Sequence, residues 1–382
     1  MSLLYLDNAA TTPVRPEVLE AMMPYLTRWY GNPSSHHTVG EAAADALADA
    51  RARVARVLGL RAGDVVFTSG GTEANNLAIK GIAIAAALAR GGGGHVVTTP
   101  IEHESVLESV DYLRRVHGFE VALVPVDGFG RVGVDAVAAS LRDDTALVSV
   151  GYANNEIGTI QDAAALAATV HERGIPFHLD AVQAAGWLPL SADVLGHDAI
   201  SLAGHKIGAP KGTGVLGVRG RIPLEPLLHG GGQERGRRSG TEDVAGAVGL
   251  ATALELAEAE RDEASTRVTA IRDRFVARVL ERVPSARLTG DPVHRLPGTA
   301  SFTFAGTSGE AVLLELERRG VVSSSGSACA AGSDEPSHVL VAMGVAPEVA
   351  QTAVRFTFPR WLNASLDAVA DAVEESVAAV GG

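Results

Sequence analysis

A chain of 382 residues with a formal net charge of −13 is long enough for one large core and a second, smaller one. It is too acidic for broad binding to nucleic acid or an anionic membrane, which needs clustered Lys and Arg. Its single cysteine, Cys329, excludes an internal disulfide and a thiolate metal cluster, and no histidine pair has metal-ligand spacing, so no metal is expected.

In chain order, "MSLLYLDNAATTPVRP" has no basic lead before its apolar residues and is not a secretory signal. The longest apolar run, 81–89, is far too short for a membrane span, so a cytoplasmic location is expected. Short β-branched runs follow: "DVVFT", "HVVTT", "EVALVPV", "TALVSVGYA", "IPFHLDA" and "DAISLA". Ala-rich helical stretches lie between most of them, at 73–90, 104–117, 134–141 and 163–173. That alternation predicts an α/β fold with a mostly parallel sheet covered on both faces and a site at the strands' carboxyl ends. "RGGGG" at 90–94 reads as a surface loop.

After Thr241 the pattern turns to long helix, with Val268, Ile271, Phe275 and Val279 on one face. Then come "LPGTASFTF", a helix at 310–319, a loop around Cys329, "AVRFTFPR" and a terminal Ala/Val helix, a smaller α+β domain. The expected organisation is an N-terminal arm at 1–14, a large domain at 15–255 and a small domain at 256–382 that carries the cysteine loop.

Several stretches are chemically suggestive. In "VVFTSGGTEANN" a strand ends at Ser69 and a helix opens near Gly71 and Thr72, its free N–H groups outward. Both an anion cradle and a plain capped turn fit that pattern. "GTGVLG" matches G-x-G-x-x-G but runs into a strand, so the dinucleotide-binding context is absent. Lys206 follows the apolar "DAISLA", where desolvation frees an amine for Schiff-base chemistry; a turn lysine on the surface fits the position as well. Asp180 closes "IPFHLD", either as a helix cap or as a carboxylate opposite a pyridinium nitrogen. Arg235, Arg237 and Arg238 sit in a Gly-rich stretch suited to a local anion. In "AVRFTF" the apolar face is Val354, Phe356 and Phe358, so Arg355 points the other way, toward solvent or a site. Cys329 lies among Ser and Gly, a loop composition in which a thiol stays accessible.

Taken together, "YLDNAATTPVRPEVLEAM", "GNPSSHH", "SGGTEANN", "EHESV", "ANNEIGTI", "DAVQAAG", "GHKIGAPKGTGVL", "GGGQERGRRSGT" and "SGSACAAGSDEPSHVLVAMG" resemble the cysteine desulfurases of the iron-sulfur assembly type. These belong to the class V aminotransferases, with the aspartate-aminotransferase fold (fold type I) and pyridoxal 5'-phosphate as cofactor. The likeness runs from Tyr5 to Arg355.

The resemblance implies roles residue by residue. Lys206 is the lysine that carries the cofactor, Asp180 the partner of its ring nitrogen, Gln183 of its ring hydroxyl, and His103 the ring-stacking histidine that handles protons. Gly71, Thr72 and His205 belong to the phosphate site, and Thr241 reaches the phosphate of the other subunit, which implies a homodimer with shared active sites. Asn155 and Arg355 hold the carboxylate of L-cysteine. Cys329 is the nucleophile: it takes the substrate's sulfur as a persulfide, L-alanine leaves, and the sulfur passes to an acceptor such as an iron-sulfur scaffold, on a loop whose length resembles the long-loop group. Ala203 stands where many relatives carry a phosphate-binding serine, which implies weaker cofactor retention. Rival readings are a selenocysteine lyase, a small-amino-acid transaminase, which has no need of Cys329, and a cofactor-free interaction protein.

Overall fold

A computed structural model describes residues 3–326 and 335–381. The strands among them are β1 Leu4–Tyr5, β2 Val65–Thr68, β3 His95–Thr98, β4 Glu120–Leu123, β5 Thr145–Gly151, β6 Phe177–Asp180, β7 Ala199–Ala203, β8 Gly214–Val218, β9 Ala286–Leu288, β10 Thr299–Phe304, β11 Val321–Val322 and β12 Ala353–Thr357.

Seven of them form one sheet in the order β2-β8-β7-β6-β5-β3-β4. From β7 to β4 every pairing is parallel, while β8 runs antiparallel to both neighbours. The helices Gly71–Arg90, Glu104–His117 and Ala163–His171 connect successive parallel strands and cover the sheet, which is why β5 to β8 are buried almost without a break. Gly91 and Gly118 stop two of these helices in the left-handed conformation, with φ of 90° and 68°. In "GTGVLG" Gly212 takes a left-handed φ of 85°, whereas Gly214 and Gly217 serve packing: a Cβ on Gly214 would lie about 2.5 Å from the Gly70 backbone, so only glycine lets β8 pass beneath the turn that opens helix Gly71–Arg90. Two helices, Pro16–Thr27 and Thr38–Leu58, have no counterpart among the helical stretches read from the sequence.

The second core lies on the antiparallel sheet β12-β10-β9. One continuous helix, Val244–Arg282, serves both cores: Val248, Leu250 and Leu254 pack in the large one, and Val268, Phe275 and Val279 in the small one. Residues 255 and 256 lie inside it. Phe275 meets Phe302, Phe356 and Phe358 edge-on at centroid distances of 6.0, 5.3 and 5.7 Å, the arrangement that aromatic quadrupoles favour. The N-terminal segment closes the structure: β1 pairs with β11, and Asp7 bridges to Thr357 beside β12. No helix among the described residues is long and apolar enough to cross a membrane.

Phe275→Ala removes the ring on which three others lean and is expected to cost about 3–5 kcal/mol, read as a lower midpoint of chemical unfolding.

Candidate active site

The carboxyl ends of β5, β6 and β7 open into a cavity of about 540 Å³, where an α/β sheet places its ligands. Gly71, Thr72, His103, Asn155, Asp180, Gln183, His205, Lys206 and Arg355 all line it. Thr241 is exposed and outside that lining. Cys329 and the middle of its loop fall outside the described residues.

The wall beneath β2 is the first turn of helix Gly71–Arg90. Its N-cap, Gly70, supplies no side-chain cap, so the first backbone N–H groups stay available to an anion. A Cβ on Gly71 would meet Val182 at 2.8 Å and the Ala203 methyl at 3.2 Å, so the turn sits tightly on the strand ends. Glu73 is turned out of the way: it accepts from the Ser69 amide at 2.7 Å and pairs with Arg238 at 2.9 Å. Arg51 pairs through both terminal nitrogens with buried Glu234, and these two ion pairs seat the Gly-rich loop that leads to Thr241.

Asp180 stands at the end of β6. Its Oδ2 accepts from Asn75 Nδ2 at 2.7 Å and its Oδ1 from the Val182 amide at 3.0 Å. Asn75 Nδ2 also donates to Ser105 Oγ at 2.9 Å. Ser105 Oγ lies 2.8 Å from His103 Nδ1, which accepts from the Ser105 amide at 3.0 Å. An acceptor Nδ1 puts the proton of the neutral imidazole on Nε2. One hydrogen-bonded chain therefore ties Asp180 to His103.

Lys206 ends a short turn after β7, and its Nζ donates to the carbonyls of Ala9 and Ala10, the latter at 2.8 Å. Gln183 Nε2 donates to the same Ala9 carbonyl at 3.1 Å. His205 Nδ1 lies 3.1 Å from Thr11 Oγ1. Burial, with the charges of Lys206 and Lys211, pushes His205 down to about 4, so its ring is neutral at physiological pH. Across the cavity Arg355 reaches in from β12. Its Nη1 donates to the carbonyls of Asn155 at 2.8 Å and Gly326 at 3.2 Å, and its Nη2 to Asp7 Oδ1 at 2.7 Å. Its Nε is buried and, among the described residues, has no partner. The sequence left Arg355 between solvent and site; at 2% exposed it faces the site.

Glu102 also lines the cavity. Burial pushes its carboxyl up to about 8; a hydrogen bond from Thr99 opposes the rise, and the Asp180 charge adds to it. Nothing in the spacing of residues singles out Glu102, Asn75, Ser105 or the Ala9 and Ala10 carbonyls, although all lie within the motifs "EHES", "SGGTEANN" and "YLDNAATT".

This arrangement has close counterparts among known proteins. The pattern of the class-V aminotransferases matches residues 4–364. The chain is 44% identical to cysteine desulfurase IscS of Dictyoglomus turgidum, covering 97% of this chain and 95% of that one. It is 45% identical to an IscS-like cysteine desulfurase of Mycobacterium tuberculosis, covering 98% and 96%. A solved NifS-like protein superposes with a TM-score of 0.91 at 36% identity, over 99% of this chain and all of the other. A structure of SspA in complex with cysteine superposes with a TM-score of 0.82 at 35% identity, over 94% and 99%. The chain thus belongs to the class-V aminotransferases, which have the fold type I architecture of pyridoxal-phosphate enzymes, and within them to the cysteine desulfurases of the IscS type.

Glu102 gives a pH-dependent stability. An unfolded carboxyl ionises near pH 4.5 and the folded one near 8, so between those values the folded state holds one more proton and stability falls as pH rises. Glu102→Gln removes that slope: its thermal midpoint, followed from pH 5 to 8, is expected to decline less than that of the parent chain.

Proposed function

We propose that this chain removes sulfur from L-cysteine, releasing L-alanine and leaving a persulfide on Cys329, with pyridoxal 5'-phosphate held in the cavity described above. The observation that carries this reading is the convergence of Lys206 and Asp180, from the ends of neighbouring strands, with Arg355 on the facing wall of one cavity. The residues suit the cofactor. The uncapped helix N-terminus at Gly71 and Thr72 takes its phosphate, with His205 beside it, and Asp180 takes its ring nitrogen. Gln183 takes its ring hydroxyl. When bound, pyridoxal phosphate supplies an electron sink for the bond changes at the substrate's α- and β-carbons.

The protein's own groups do the rest. Lys206 would carry the cofactor, and its amine, when free, would take the substrate's α-proton. The Arg355 guanidinium, which lines the cavity together with Asn155, offers a donor to the substrate carboxylate. His103 holds the proton of its neutral ring on Nε2, so it passes that proton to the carbon that becomes the L-alanine methyl as it takes the Cys329 thiol proton in exchange, and the ring ends neutral. An ordinary thiol, with a pKa of about 8.5, is mostly protonated at neutral pH and needs that help. Thr241, outside the lining of its own cavity, suits the phosphate of a second subunit, and a homodimer with shared sites follows from that role. The persulfide sulfur goes to an acceptor protein of iron-sulfur assembly or a thiolation pathway. A soluble chain that acts in the cytoplasm fits this role.

Purified protein is expected to be yellow, and Lys206→Ala to lose the visible absorption. Cys329→Ser stays yellow but forms no alanine from L-cysteine; undiminished alanine formation by that variant refutes the persulfide step. Ala203→Ser adds a hydroxyl beside the phosphate end of the cavity and is expected to slow loss of the cofactor on dialysis, read by the decline of absorbance.

A further inference from the structure

Arg355 is held from three sides by three separate segments. The Asn155 carbonyl follows β5, the Gly326 carbonyl follows β11, and Asp7 follows β1. Among the described residues Asp7 is the charged one of these partners, 2.7 Å from Nη2. Its carboxylate is not what seats its own strand. The Asp7 backbone bridges to Thr357, its carbonyl accepts from Tyr5 Oη at 2.9 Å, and next to it Asn8 Nδ2 donates to the Thr357 carbonyl at 2.8 Å. The carboxylate is therefore committed to Arg355, while among the described residues Nε on the same guanidinium is buried without a partner.

We infer that Asp7 is a positioning residue that tempers the affinity of Arg355 for carboxylates: it fixes the guanidinium while cancelling its charge, so an amino acid's carboxylate joins a pair that is already neutral rather than meeting a bare cation. This rests on the reading of Arg355 as the carboxylate site. Two carboxylates sharing one buried guanidinium repel each other, and that repulsion weakens binding of substrate and product alike. L-alanine carries the same carboxylate as L-cysteine, so Asp7 keeps the product from lingering. The device acts only on ligands that bear the group.

The test measures binding of L-alanine to the holoenzyme by calorimetry, beside steady-state kinetics. Asp7→Asn keeps the shape and a hydrogen-bonding oxygen but removes the charge; L-alanine is expected to bind about tenfold more tightly and the KM for L-cysteine to fall with it. Binding of cysteamine, which lacks the carboxylate, stays unchanged, and Asp7→Glu restores weak L-alanine binding. Unchanged or weaker L-alanine binding in Asp7→Asn, or an equal shift for cysteamine, overturns the inference. Arg355→Lys separates the two levels. If it weakens L-alanine binding while Asp7→Asn does nothing, only the role of Asp7 fails; if it leaves L-alanine binding unchanged, the reading of Arg355 fails as well.

Discussion

A cation withdrawn from water must find partners or lose its charge, and two cations at one cavity, Lys206 and Arg355, meet that requirement through one short stretch of chain. The Ala9 and Ala10 carbonyls receive the Lys206 ammonium, and the Asp7 carboxylate receives the Arg355 guanidinium. The same stretch engages Gln183 and His205. The rest of the site depends on this strip of backbone, because it joins the ends of β6 and β7 on the large sheet to β12 on the small one. Backbone carbonyls suit the lysine, because an ammonium carries three donors and no acceptor.

The remaining polar groups divide the work by environment. Asp180 receives two donors, Asn75 and the Val182 amide. Glu102, fully enclosed, is driven toward the neutral form. Below its raised pKa Glu102 therefore adds little charge of its own beside Asp180. The Asn75 and Ser105 links then couple Asp180 to His103 without a titrating group between them.

Much of this was legible in the residues alone. The six strands read from "DVVFT" to "DAISLA" and the helices between them correspond to β2 through β7 and their crossovers; β5 to β7 are plainest, because buried parallel strands write themselves as unbroken apolar runs, while β4 is a partly exposed edge. Helices Pro16–Thr27 and Thr38–Leu58 were less plain: the first carries a proline at Pro24, and the second is so rich in Ala and Arg that its apolar stripe is faint. Lys206 and Asp180 stood out because each follows an apolar run. Glu102 did not, since its chemistry comes from enclosure by chain segments distant in sequence. The Ala9 and Ala10 carbonyls were invisible for a simpler reason: a backbone oxygen has no letter of its own.

The bond between Asp7 and Arg355 spans 348 positions. A ribosome releases the first partner long before the second exists, so the strip can meet Gln183, His205 and Lys206 early but gains its Arg355 anchor only when β12 has emerged. Sheet and helices can form as the chain lengthens, but the cavity acquires its Arg355 wall last. The complete cavity is thus a property of the finished polypeptide, and a nascent chain stalled before residue 355 would carry the Lys206 amine without the guanidinium across from it.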